Sequence, residues 1–238
     1  MKLDILAFAA HPDDVELTAS GTMLHHKALG YKIGIVDLTR GELGTRGTAE
    51  DRDREAADAS KIMQLDVREN LGMADGFFEN NQANKLKIIE AIRAYRPDTV
   101  LCNAVTDRHI DHGRASTLVS EACFLSGLRK IETSREGVAQ EAWRPRQVLH
   151  YIQDRYIKPD LIVDITPYFE QKMQCVMAFK TQFYDPSSAE PETPISGKDF
   201  INYLESRSRE MGRYINTSYG EGFTVERPAG IADLTKLI

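Results

Sequence analysis

Two short runs bring imidazole and carboxylate side chains together. Residues 10–14 read Ala-His-Pro-Asp-Asp, and residues 107–112 read Asp-Arg-His-Ile-Asp-His. Imidazole and carboxylate donors from separate loops are the ligand types of a catalytic zinc, which takes three protein ligands and keeps a fourth position for water. His109 and His112 are three residues apart, so a helix beginning there puts them on one face, with Asp111 close enough to orient one ring. Both runs also have plainer readings. Pro12 suits a first helical turn, and Asp13 and Asp14 favour a helix N-terminus through capping and the dipole. Residues 107–112 read equally as a polar loop before a helix. The plainer view of the first run leaves His11 without a role. His25 and His26 fall in a helical stretch and His150 in a β-like run, and these three are read as structural.

The surrounding pattern places both runs at strand ends. Residues 3–9 and 32–38 are apolar runs separated by a helix-like stretch, 15–30, which makes a strand-helix-strand unit. Residues 49–65 and 85–95 read as amphipathic helices, Arg96-Pro97 stops the second, and 99–104 is a third apolar strand. A helix over 113–128 follows, then a polar segment 132–145, β-like runs at 147–153 and 161–165, and helices over 166–180 and 198–214. This alternation predicts an α/β fold: a Rossmann-like open sheet, mostly parallel, with helices on both faces. Ligands bind such sheets beyond the carboxyl ends of the strands, so the two runs should face one crevice. The first turn has no glycine before Gly21, which excludes a dinucleotide fingerprint and a P-loop. No composition shift or internal repeat divides the chain, so a single domain over 1–238 is expected.

With Lys+Arg 30 against Asp+Glu 36 the net charge is −6. No long basic run interrupts it, which argues against a nucleic acid or anionic membrane partner. The apolar stretch 5–10 is too short for a signal segment or a membrane span, and a cytoplasmic location is expected. Cys102, Cys123 and Cys175 are odd in number and widely spaced, which fits small buried residues rather than a disulfide framework or a thiolate zinc site.

The A-H-P-D-D turn after the first strand and the later H-x-D-H element, in this order and at this spacing, resemble the signature of the PIG-L or LmbE-like zinc-dependent N-deacetylases. The likeness continues through residues 41–55 and to Tyr-Gly-Glu-Gly-Phe at 219–223, and so covers most of the chain. Within that family the run GELGTRGT (41–48), followed by Arg52 and Glu55, is most similar to the bacillithiol-biosynthesis deacetylases, which act on N-acetylglucosaminyl malate. Ile110 departs from the proline that relatives often carry and removes no chemical group. The resemblance implies His11, Asp14 and His112 as metal ligands, Asp13 as general base, and a protonated His109, held by Asp111, as the oxyanion partner. It also implies a homo-oligomer, with a hexamer as one arrangement. Zinc and ferrous iron both accept such ligands.

The family reading makes Arg52 a substrate ligand beside Glu55. An ordinary helical ion pair explains the same two residues, since Asp51, Asp53 and Arg54 make that face generally charged. Arg40, Arg46, Arg52 and Arg54 crowd this stretch, and a guanidinium fork grips carboxylates in pairs, so Arg52 or Arg46 is the expected grip on a malate aglycone. Trp143, Tyr184 and Tyr203 either wall a sugar site or pack in the core or at its rim. The expected activity is therefore hydrolysis of the N-acetyl group of an N-acetylglucosamine conjugate. A metal-dependent phosphoesterase generally needs two metals and more carboxylates than these motifs offer. A sugar-binding or metal-storage module has no use for a free Asp13 or for His109.

Overall fold

A computed structural model describes residues 1–238, with the side chain of residue 236 left aside. The elements in chain order are β1 (Ile5–Ala9), α1 (Asp14–Thr18), α2 (Ser20–Ala28), β2 (Ile33–Asp37), α3 (Ala49–Met63), β3 (Val67–Asn70), α4 (Gln82–Tyr95), β4 (Thr99–Cys102) and α5 (Ile110–Ser126). A two-stranded hairpin, β5 (Ser134–Arg135) and β6 (Val138–Ala139), comes next. It is followed by β7 (Gln147–Tyr151), β8 (Leu161–Asp164), α6 (Phe169–Met177), α7 (Lys198–Tyr214) and β9 (Gly220–Val225). The main sheet has the order β3-β2-β1-β4-β7-β9-β8, parallel from β3 to β7, with β9 antiparallel to both its neighbours.

Alternation along β1 explains the two layers. Leu6 and Phe8 face α4 and α5, packing with Ile88, Ile92, Leu118 and Val119, while Ile5, Ala7 and Ala9 face the other side with Met23, Met63 and Cys175. Strand neighbours 33–37 and 99–102 pair on either side of β1, so the chain reverses its winding direction there and opens a crevice between the ends of β1 and β4. Among the described residues no helix is long and apolar enough to cross a membrane. The three cysteines are free and buried.

The structure departs from the sequence reading at three places. The expected helix over 15–30 breaks at Ala19 (φ −134°) into α1 and α2. β3, Val-Arg-Glu-Asn, has no apolar alternation; its ladder with β2 and the bonds from Arg68 to Asp37 (2.7 and 3.0 Å) and Glu16 (2.6 Å) hold it. β9 uses the Tyr-Gly-Glu-Gly-Phe run to turn the sheet antiparallel. Its Glu221 caps α2 from across the fold, accepting the Gly21 and Thr22 N–H groups at 3.0 and 2.7 Å and the buried Lys172 ammonium at 2.6 Å. Lys172→Met should therefore destabilise the protein by roughly 3 kcal/mol, because it leaves a buried carboxylate without its counter-ion. Urea unfolding checks this, and a loss under about 1 kcal/mol would mean that the two helix N–H groups alone satisfy Glu221.

Candidate active site

Both motifs sit at the ends of the adjacent strands β1 and β4, and Asn103 stitches them together by accepting the Ala10 N–H at 2.9 Å. His11, Asp13, Asp14, Asp111 and His112 are all buried. Asp14 lies between the two imidazoles: one oxygen is 3.1 Å from His112 Nε2, the other 3.7 Å from His11 Nδ1. The opposite ring nitrogens donate to carboxylates. His112 Nδ1 bonds Asp107 at 2.6 Å, and His11 Nε2 lies 3.1 Å from Asp75 and 3.3 Å from Asp111. Carboxylate partners on the outer nitrogens orient both rings, so His11 Nδ1 and His112 Nε2 face Asp14, the atoms that would be free to bind a metal once their protons leave.

The same crowding makes the cluster hold positive charge. Burial pulls both imidazoles down, but Asp111, Asp75 and Asp14 lift His11 to about 10, and Asp14 and Asp107 lift His112 to about 9. Asp14 is held below the ordinary carboxylate range, because His112 and His11 overcome its burial. This donor set, two imidazoles and a carboxylate with outer carboxylates behind them, fits a divalent cation. Among the described residues, two groups of side chains have ligand atoms within 4.8 Å of one another, His11 with His109 and His112, and His11 with Asp75 and Asp111; Asp14 is in neither. His109 Nδ1 accepts the Asp111 N–H at 3.3 Å, while two amides grip Asp14. Asn103 Nδ2 donates to one Asp14 oxygen at 2.9 Å and Gln153 Nε2 to the other at 3.1 Å.

Asp13 does not cap its helix. It stands at φ 118°, a region that non-glycine residues rarely adopt, and makes no side-chain cap bond. Its carboxylate instead meets Arg52 Nη1 at 2.9 Å. Burial pushes Asp13 up, Arg52 opposes this and Asp14 adds to it, which leaves it at about 7. The Asp111 carboxylate turns to His11, to the Gly76 N–H (2.8 Å) and to Arg114 (2.7 Å), so the expected Asp111–His109 pairing is corrected: only the Asp111 backbone N–H touches that ring. Burial, and then the charges of His11 and His112, lower His109 from its ordinary value.

A pocket of 440 Å³ opens over this floor, walled by Leu43, Ile110, Phe200, Tyr203 and Leu204, with Arg108 among its polar lining. Arg52 reaches the pocket, but its guanidinium also bonds Pro12 O and Gln182 (2.7 Å), so it braces Asp13 rather than standing free as a substrate grip. Glu55 turns to Thr181, accepting from its N–H and hydroxyl at 2.7 and 2.9 Å. Arg46 is buried outside the pocket wall and bonds Ser188. Trp143 packs beside the α4–α5 core and donates to Pro97 O, and Tyr184 lies outside the pocket wall; of the three aromatics only Tyr203 lines it. The motif reading missed Asp75, Asn103 and Gln153. The two amides end apolar strand runs, which was the available signal; Asp75 had none.

The family model described as GlcNAc-PI de-N-acetylase (PIG-L) matches residues 6–123. The diacetylchitobiose deacetylase of Thermococcus kodakarensis is 26% identical over 195 residues, covering 75% of this chain and 70% of that protein. Among solved structures, the conserved protein TT1542 from Thermus thermophilus superposes with a TM-score of 0.86 at 35% identity, with 98% of each chain covered. GalB, the 4-carboxy-2-hydroxymuconate hydratase of Pseudomonas putida KT2440, shares the fold at a TM-score of 0.77 and 20% identity, covering 98% of this chain and all (100%) of that one.

Proposed function

Because the chain belongs to the PIG-L family of deacetylases, we propose that it removes acetate from an N-acetylglucosamine conjugate with the help of a divalent metal held by His11, Asp14 and His112. The fold alone does not choose this chemistry, since a hydratase uses it too. The observation that carries the reading is Asp13: a buried carboxylate, bonded to no imidazole and to no helix N–H, held beside the metal-binding cluster by Arg52. A binding or storage module has no need of it. Asp75 and Asp111 group with His11 as a further set of ligand-bearing atoms within 4.8 Å, but they bond the outer nitrogen of an imidazole that the first set also uses, and Asp107 bonds His112.

Held by His11, Asp14 and His112, a divalent metal would supply polarisation of the amide carbonyl and a bound water of pKa about 7. Asp13 takes a proton from the attacking water as the C–O bond forms, then delivers it to the amine nitrogen as the C–N bond breaks. The Nε2–H of His109, its tautomer set by the Asp111 N–H on Nδ1, donates to the developing oxyanion, an effect worth roughly 3 kcal/mol.

The finer substrate reading is N-acetylglucosaminyl L-malate in bacillithiol biosynthesis, and the pocket offers a different arginine for its carboxylates. Arg108 gives Asp154 its Nε at 2.9 Å, is 47% exposed at the side chain, and leaves its terminal nitrogens open at the pocket lip. Each charged hydrogen bond contributes roughly 1.5 to 3 kcal/mol. Arg108→Ala should therefore lower kcat/KM on the malate conjugate by at least about tenfold, with a neutral methyl N-acetylglucosaminide little affected. Acetate release from both substrates tests the reading; equal kcat/KM on the two in the unmodified enzyme removes the malate assignment and leaves a general N-acetyl sugar deacetylase.

A further inference from the structure

The loop between β3 and α4 contributes a carboxylate that no motif marks. Asp75 is 6% exposed and touches two parts of the site at once. One oxygen lies 3.1 Å from His11 Nε2, and the other accepts the Leu43 N–H at 2.9 Å. Its own N–H donates to Glu42 Oε1 at 2.9 Å, and the second oxygen of Glu42 accepts the Arg40 N–H at 3.2 Å. The loop reached in this way is the glycine-containing one over 41–45, whose Gly41, Leu43 and Gly44 line the pocket. Gly41 sits at φ +65°, where only glycine is unstrained.

Asp111 already gives His11 Nε2 an acceptor, at 3.3 Å. One carboxylate is enough to fix an imidazole tautomer. What Asp75 adds is the bond to Leu43. We infer that Asp75 is a positioning residue that couples the 41–45 loop to His11, so that a sugar packed against the loop tightens the metal's hold and the metal in turn orders the loop. The inference rests on His11 being a metal ligand, as proposed above. With Leu43 N–H in place, Asp75 is fixed on both sides and presents His11 with a rigid second acceptor; with the loop withdrawn, the Leu43 and Glu42 bonds are both lost and the His11 contact alone remains. Linkage makes the effect reciprocal between sugar and metal.

The test uses zinc alone and zinc with N-acetylglucosamine, reading equilibrium zinc affinity and the rate of zinc release to a chelator. Asp75→Asn should weaken zinc binding roughly 10- to 100-fold without sugar, the usual cost of losing an outer-shell partner. In the unmodified protein, saturating N-acetylglucosamine should slow zinc release by about fivefold or more, and this protection should vanish in Asp75→Asn. Glu42→Ala, at an exposed position that leaves the His11–Asp75 contact intact, carries the test from the other end: affinity without sugar stays near the original, and the protection falls away. The inference is overturned if Asp75→Asn binds zinc within about threefold of the original on that scale, if protection survives both substitutions, or if zinc release in the unmodified protein ignores the sugar. A protein that passes these zinc measurements yet releases no acetate would sink the deacetylase reading and leave the role of Asp75 standing.

Discussion

Asp13→Asn is expected to keep its metal and lose about 100- to 10,000-fold in turnover, the range for removal of a general base. The amide keeps the shape and an oxygen for Arg52, which bonds Asp13 at 2.9 Å. Asparagine is also among the residues that best tolerate positive φ, and the backbone here stands at φ 118°. Little changes, then, except the ability to take a proton. Metal content and kcat measured on one preparation decide the matter: full metal with a rate within about threefold of the original, on that scale, would place the base elsewhere.

His112→Ala should abolish stable metal binding rather than merely weaken catalysis. Loss of an outer-shell partner costs roughly 10- to 100-fold in metal affinity, and loss of a ligand should exceed that. The substitution removes the nitrogen 3.1 Å from Asp14 and also leaves Asp107 without its 2.6 Å bond. Two carboxylates then face the site with one imidazole fewer to balance them. Metal analysis after gel filtration checks this, and a His112→Ala protein with one metal per chain would refute the ligand set.

The strands that build the crevice were legible because their chemistry is local. β1, β2 and β4 are short apolar runs, Asn81 caps α4, accepting the Asn84 N–H, and Arg96-Pro97 ends it where the sequence says it should. The two motifs were legible as a site because each follows such a strand. Partners that come from far along the chain were not. Asn103 and Gln153 grip Asp14 across 89 and 139 residues, and Arg52 reaches Gln182 across 130. Arg52, offered by the resemblance as a substrate ligand and by spacing as a helical ion pair, instead bonds the proposed base, because helix α3 aims it inward. β3 escaped notice because its stability lies in the Arg68 bonds rather than in apolar alternation. Asp111 shows the same limit at short range. Proximity in sequence pointed it at His109, whereas the first turn of α5 carries its carboxylate to His11 and leaves only its backbone N–H for His109.

The central claim is a metal-dependent deacetylation centred on His11, Asp14 and His112, and titrating zinc back into metal-stripped protein while following acetate release from an N-acetylglucosamine conjugate tests it most directly. The predicted result is no acetate from the stripped protein, with activity returning in step with zinc and levelling off at one equivalent per chain. Acetate release that persists at full rate in the stripped protein, or that fails to appear from any N-acetylglucosamine conjugate at one equivalent of zinc, would contradict it.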